Sequence, residues 1–207
     1  MPRCARNDGW LNMKKILVID TKAGNLFSIK AAIERLGFET VILDKPNAEF
    51  FDGVVIPGQG RFGTVMKNIR DNDWDSYLAE ARIADIPILG ICVGMQIFFE
   101  SSDEDKDVDG LGWFNGRACA LDFPKKPMVG WASLDSKAWP DAPVYFVNSY
   151  AIKDSDISIA TTTYGETFCA AVNDDNFTGV QFHPEKSSEA GSRIILQALT
   201  DAVGDNR

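Results

Sequence analysis

The sequence predicts an α/β fold with a mixed, mostly parallel central sheet flanked by helices and a β-rich C-terminal half. In the N-terminal half, short apolar runs that suit buried strands alternate with stretches of helical periodicity. From Gly110 onward, short β-type runs are separated by Pro, Gly, Asn and Asp, the residues that favour turns. The length of 207 residues suits a single domain, which we place at residues 13–207. Residues 1–12 lack periodicity and are predicted to form a disordered leader.

The elements of the N-terminal half each follow from a local residue pattern. Buried strands are predicted at residues 16–19, 40–43, 54–56 and 86–91. Helices are predicted at residues 26–36, 64–69 and 74–84, and a further helix is predicted to begin at residues 95–100. Strands that alternate with helices predict a mostly parallel sheet with both faces covered.

The C-terminal half is predicted to contain several short strands and one helix. The strands lie at residues 117–121, 144–150, 157–163, 168–172 and 178–182, and the turn residues between them are typical of antiparallel pairing. An amphipathic helix is predicted at residues 188–199.

The composition argues against several classes of function. With 21 basic and 30 acidic residues, the net charge of −9 opposes binding to phosphate backbones, so we expect no nucleic-acid partner. The longest apolar runs are far shorter than the roughly 20 residues of a membrane-spanning helix, so we expect no membrane partner. The four cysteines form no CxxC pair, which predicts neither a metal site nor disulfides and suits the reducing cytoplasm. The acidic run at residues 103–109 is predicted to be a solvated loop.

Cys92 is the candidate nucleophile. It is the central residue of the pattern Gly-Ile-Cys-Val-Gly at residues 90–94, which follows a predicted strand and opens a predicted helix. This arrangement is typical of a nucleophile elbow, in which the glycines permit a tight turn and the helix N-terminus favours a thiolate. The alternative interpretation is a buried structural cysteine, because free cysteine is among the most buried residue types.

His183 is the only histidine in the sequence and is therefore the only imidazole available as a base for Cys92. Glu185 follows it by two residues, a spacing that places both side chains on one side of an extended chain. A cysteine nucleophile requires a base, and the base requires a third group that fixes its tautomer. The pattern therefore predicts a Cys92–His183–Glu185 relay.

Acyl transfer also requires N–H groups that stabilise an oxyanion. The candidates are the N–H of Val93 and the turn at residues 57–60, which contains Gly58, Gln59 and Gly60. An ordinary strand-to-helix turn is the alternative interpretation of this segment. The sequence leaves open which of its N–H groups points inward.

Together these segments resemble the class I glutamine amidotransferases and, within that class, the glutaminase subunits of imidazole glycerol phosphate synthase. The resemblance extends from about Lys15 to the C-terminal helix. The segments that carry it are residues 23–26, 57–63, 89–96, 99–102, 110–112, 130–131 and 180–187. The elbow and the His-Pro-Glu motif at residues 183–185 are specific for the class.

The resemblance implies the flavodoxin-like fold of that class and a triad of Cys92, His183 and Glu185, with no cofactor. It implies that Gln96 and the backbone near Gly58 and Gly60 hold the substrate L-glutamine. It also implies a cytoplasmic heterodimer with a TIM-barrel cyclase, which receives the ammonia for histidine biosynthesis. Lys186 would lie near that interface.

Two segments depart from the subfamily pattern. The sequence has Met128-Val129 where a histidine is usual, and Asn148 where a His-Ser-Tyr segment often begins. These departures bear on the partner and on the acceptor of the ammonia. The alternatives are a paralogue that supplies ammonia for amidino-sugar surface polysaccharides, a non-catalytic binding or regulatory subunit, and another class I glutaminase or a cysteine hydrolase, such as a peptidase, on the same scaffold.

Overall fold

The computed structural model describes residues 13–49, 51–123, 125–139 and 142–200. The leader predicted at residues 1–12 lies outside the described residues. The strands are β1 (Lys15–Ile19), β2 (Glu39–Leu43), β3 (Gly53–Ile56), β4 (Ile88–Ile91), β5 (Phe99–Ser102), β6 (Phe114–Ala120), β7 (Met128–Ala132), β8 (Asp135–Ser136), β9 (Val144–Asn148), β10 (Tyr150–Ile152), β11 (Ser158–Tyr164), β12 (Glu166–Asp174) and β13 (Phe177–Val180). The helices are α1 (Leu26–Arg35), α2 (Phe62–Asp71), α3 (Trp74–Ile83), α4 (Val93–Gln96) and α5 (Ser188–Thr200), and a 3₁₀ turn spans Pro184–Lys186.

The central sheet has the strand order β2-β1-β3-β4-β13-β12-β11-β8. The first five strands in this order pair in parallel, and the last three extend the sheet with antiparallel pairs. The predicted α/β class with a mixed, mostly parallel sheet is therefore confirmed. Strands β3, β4 and β13 are buried at every position, as expected for parallel strands that are covered on both faces.

The C-terminal half adds two smaller sheets. One contains β10, β6 and β5, and the other pairs β7 with β9 in antiparallel register. The backbone N–H of His183 donates to the carbonyl of Tyr145 in β9 at 2.8 Å, so this second sheet is tied to the chain that follows β13. Within the described ranges, no helix is both long and apolar enough to cross a membrane.

Two predictions about local structure are only partly right. The helix predicted to begin at residues 95–100 is instead the four-residue α4 followed by strand β5, because the carbonyl groups of residues 97–100 accept hydrogen bonds of 2.7 to 3.2 Å from N–H groups of residues 110–114. The strand predicted at residues 178–182 is not only antiparallel: β13 pairs with β12 in antiparallel fashion and with β4 in parallel. In both cases a distant segment decides the pairing.

The acidic run at residues 103–109 is not simply a solvated loop. The carboxylate of Glu104 accepts a hydrogen bond from the N–H of Phe62 at 2.8 Å, and that of Asp105 accepts one from the N–H of Gly63 at 2.9 Å. Asp105 also pairs with Arg61 at 2.6 Å. These carboxylates satisfy N–H groups of the first turn of α2, where negative charge is favoured by the helix dipole.

Candidate active site

Three separate segments meet at the carboxyl edge of the central sheet because β3, β4 and β13 are adjacent and parallel. The turn that contains Gly58 follows β3, Cys92 directly follows β4, and His183 lies shortly after β13. All three residues line one cavity of about 300 Å³. The edge formed by the carboxyl ends of parallel strands is where open α/β sheets bind ligands.

The residues 90–94 form the predicted elbow. Cys92 has φ 56° and ψ −115°, a backbone conformation that is costly for a residue with a side chain. A Cβ on Gly94 would lie 1.9 Å from the carbonyl oxygen of Ile56, and a Cβ on Gly90 would lie 2.6 Å from the carbonyl oxygen of Gly94. Both glycines are therefore required by backbone contacts. Since α4 has only four residues, the helix dipole at Cys92 is that of a single turn.

His183 and Glu185 form a buried pair beside Cys92. The ring nitrogen Nδ1 of His183 lies 3.0 Å from Oε1 of Glu185, and neither side chain is more than 3% exposed. Burial lowers the pKa of His183, but its hydrogen bond to Cys92, its hydrogen bond to Glu185 and the charges of both groups outweigh burial and raise the pKa to about 9. Because Nδ1 faces Glu185, Nε2 is the nitrogen left for the sulfur.

The backbone N–H of Val93, the predicted oxyanion donor, already makes a hydrogen bond within this structure. Its N–H donates to the carbonyl of Gly58 at 3.2 Å, and the N–H of Gln59 donates to the carbonyl of Ala23 at 3.0 Å. Val93 and the turn at residues 57–60 are thus in direct contact, as an oxyanion site would need. For Val93 to serve a ligand, however, the carbonyl of Gly58 must first turn away.

Gln96 and Gln59 both line the cavity, but their side chains have different hydrogen-bond partners. Gln96 is buried and donates from Nε2 to the carbonyl of Tyr150 at 3.0 Å. The side chain of Gln59 accepts a hydrogen bond from the N–H of Asn25 at 3.2 Å and donates to Oε1 of Glu185 at 3.4 Å. The side chain of Gln59 therefore contacts the proposed triad, a role that the sequence did not predict.

A family model described as glutamine amidotransferase class-I matches residues 17–202. The chain belongs to the class I glutamine amidotransferases. A relative from Lactococcus lactis subsp. lactis, named imidazole glycerol phosphate synthase subunit HisH, is 43% identical over 201 residues, which cover 91% of this chain and 100% of that protein. The protein of the same name from Symbiobacterium thermophilum is 38% identical over 199 residues, which cover 88% of this chain and 92% of that protein.

The fold of this amidotransferase is also similar to a solved structure described as a glutamine amidotransferase. The TM-score is 0.73, with 16% sequence identity and coverage of 88% of this chain and 97% of that one. At this level of identity the likeness concerns the fold.

Several cavity residues of the amidotransferase were missed by sequence reasoning. Glu104 and Asn148 line the cavity, and Gln181, which does not line it, donates from Nε2 to the sulfur of Cys92 at 3.5 Å. Glu104 gave no separate signal, because it lies within a run of acidic residues. The sequence marks Asn148 only as a departure from the subfamily pattern. Gln181 lies in a recognised motif, but the sequence does not reveal what its side chain contacts.

Lys186 lies at the cavity of the amidotransferase, whereas the other described cysteines do not. Lys186 is exposed at the cavity, with Nζ 5.9 Å from the centroid of the Tyr145 ring. Cys119 and Cys169 do not line this cavity, and burial raises the pKa of the Cys169 thiol. Among the residues with described positions, no group of three or more His, Cys, Asp and Glu side chains is placed to hold a metal ion.

Proposed function

We propose that the chain is the glutaminase subunit of a cytoplasmic imidazole glycerol phosphate synthase. It hydrolyses L-glutamine to glutamate and ammonia, and a cyclase-type partner uses the ammonia in histidine biosynthesis. The observation that carries the chemistry is the position of His183 between Cys92 and Glu185 on the wall of a cavity. The similarity to relatives named subunit HisH supports the pathway.

In the first half of the reaction, the thiolate of Cys92 attacks the carboxamide carbon of glutamine. The imidazolium of His183 then gives its proton to the leaving ammonia. The raised pKa of His183 favours this starting state, because the thiolate and the carboxylate of Glu185 both stabilise the protonated ring. Rotation of the Gly58–Gln59 peptide would free the Val93 N–H for the oxyanion.

In the second half, water hydrolyses the thioester. Once its sulfur is acylated, Cys92 carries no negative charge and can no longer raise the pKa of His183, so that pKa falls, although Glu185 still raises it against burial. The neutral ring can then act as a base toward water. The same histidine thus serves as acid and as base, and the charge on the sulfur decides which.

The cavity has groups that suit a zwitterionic amino acid. Glu104 and Lys186 provide opposite charges on its wall, which match the ammonium and carboxylate groups of glutamine. Next to it, Val129 and Trp131 are more than half exposed on β7, and the Trp131 ring packs edge-on against Tyr145. We assign this apolar surface to the cyclase, which would also close the cavity against water and direct the ammonia.

The test combines the chain with a purified cyclase subunit and glutamine carrying ¹⁵N in its side-chain amide. We expect glutamate release that increases with the cyclase, and ¹⁵N in the product formed from the imidazole glycerol phosphate precursor. Absence of glutamate release would contradict the glutaminase assignment. Transfer of ¹⁵N to a nucleotide-sugar acceptor, together with none to the cyclase product, would favour the polysaccharide paralogue instead.

Glutamate formation is expected to fall as the pH rises through about 9, because His183 then loses the proton that it gives to ammonia. Glu185→Gln removes a charge that raises the pKa of His183. The falling limb of the rate profile should therefore move to lower pH, by about one unit or more. Steady-state rates measured across this range check the prediction, which an unmoved falling limb in Glu185→Gln would contradict.

A further inference from the structure

Two buried side-chain amides connect the nucleophile to the backbone of Tyr150, which also lines the cavity. Gln181, which directly follows β13, is fully buried. Its Nε2 donates to Sγ of Cys92 at 3.5 Å, and its Oε1 accepts from Nε2 of Gln96 at 2.9 Å. Neither the elbow nor the His-Pro-Glu motif requires such a connection.

The main chain fixes which way the hydrogen bonds run through these two amides. The carbonyl of Tyr150 can only accept a hydrogen bond, so Gln96 must present its NH₂ group there, at 3.0 Å. The second hydrogen of that NH₂ group then points at Gln181, whose oxygen must receive it. The NH₂ group of Gln181 is consequently turned toward the sulfur of Cys92.

This direction has one consequence at each end. At the sulfur, an N–H donor favours the thiolate, because hydrogen bonds to charged groups are stronger than those to neutral ones. At the cavity, both N–H bonds of Gln96 are engaged, so its oxygen is the part of the amide left for a ligand. A glutamine substrate offers N–H donors to such an oxygen.

We propose, on the basis of the glutaminase function above, that Gln181 is a positioning residue that stabilises the Cys92 thiolate and orients the Gln96 amide toward the substrate. Gln181 does not itself touch the reacting atoms of glutamine. It acts through Cys92 and Gln96, and it couples attack and substrate binding through one amide.

The first test is the pH dependence of Cys92 alkylation by iodoacetamide, followed by mass spectrometry of the peptide that contains Cys92. It requires neither substrate nor partner. Gln181→Met is similar in size and removes both hydrogen bonds, so the pH of half-maximal rate should rise by about one unit. Gln181→Glu places a carboxylate at the sulfur and should raise it further. An unchanged midpoint in both variants would overturn the proposal.

The second test is steady-state kinetics of glutamate release in the presence of the cyclase. Gln181→Met should lower kcat by about tenfold and also raise KM, because Gln96 loses its orientation. Gln181→Glu keeps an acceptor for Gln96, so its KM should lie nearer the native value. An unchanged KM in Gln181→Met would contradict the proposed orientation of the Gln96 amide by Gln181.

The matched control is Thr178→Val in β13, the strand that Gln181 directly follows. Thr178 is also buried and accepts a hydrogen bond from Asn173 at 3.2 Å, but it does not line the active-site cavity. Thr178→Val should lower the free energy of unfolding without changing the pH at which Cys92 alkylation reaches its half-maximal rate. If Gln181→Met behaves in the same way, its role is only structural. If the native chain releases no glutamate but the alkylation midpoint still shifts, the glutaminase assignment fails and the effect of Gln181 on the thiolate stands.

Discussion

Cys92→Ala is expected to reduce glutamate release by on the order of 10⁴-fold or more, because no other group can form the thioester. The side chain is buried, and its sulfur contacts His183, the carbonyl of Val147 at 3.9 Å and Nε2 of Gln181 at 3.5 Å, none of which is a backbone hydrogen bond of the fold. The fold should therefore persist. Glutamate release with the cyclase present, together with a circular dichroism spectrum of the variant, checks this result.

Cys119→Ala is the matched control for the activity, since Cys119 is half-buried on β6 and does not line the cavity. It should keep native activity. Substantial glutamate release by Cys92→Ala would show that the nucleophile has been assigned to the wrong residue.

The backbone conformation of Cys92 also predicts a difference in stability between two variants at this position. Glycine tolerates φ 56° and ψ −115° far better than alanine does. Although glycine usually lowers stability relative to alanine, Cys92→Gly should be more stable than Cys92→Ala by about 1 to 2 kcal/mol in urea denaturation. The strain at the nucleophile is thus measurable apart from its chemistry.

Much of the site follows from short-range patterns. The glycines around Cys92 indicate the tight turn after β4, and the single histidine leaves no other partner for the sulfur. The alternation of strands and helices predicts a parallel sheet, and parallel strands present their carboxyl ends at one edge. These local signals were sufficient to bring Cys92, His183 and Glu185 together as candidates.

The rest depends on contacts between distant segments. The helix predicted to begin at residues 95–100 ends at Gln96, because N–H groups of residues 110–114 bind the backbone carbonyls that would continue it, and no local propensity reveals that competition. Likewise, the occupation of the Val93 N–H by Gly58 depends on the rotation of one peptide plane. In the sequence, nothing separates Glu104 from the other acids of its run, and its hydrogen bond to the start of α2 depends on the fold.

Gly94→Ala is expected to destabilise the fold strongly, because the elbow lies close to the end of β3. The added Cβ would lie 1.9 Å from the oxygen and 2.8 Å from the carbon of the Ile56 carbonyl, and backbone at the end of a buried strand cannot move away cheaply. We expect a loss of at least about 3 kcal/mol in the free energy of unfolding. Urea denaturation measures it.

Gly37→Ala is the control, because Gly37 has φ +89° but no atom within 4 Å of the added Cβ. It tests backbone strain alone and should cost about 1 to 2 kcal/mol. Equal losses in the two variants would mean that crowding at Ile56 is unimportant.

Gly94→Ala should also impair the chemistry in the fraction that folds. A Cβ on Gly58 would lie 2.4 Å from the nitrogen of Gly94, so the turn at residues 57–60 and the elbow approach each other without side chains between them. Moving one away from the other separates the Val93 N–H from the peptide that must rotate beside it. Because displacements of about 1 Å can cost 10²-fold in rate, glutamate release per folded molecule should fall by about that factor. Normal turnover in folded Gly94→Ala would show that this close approach supports the fold but not the reaction.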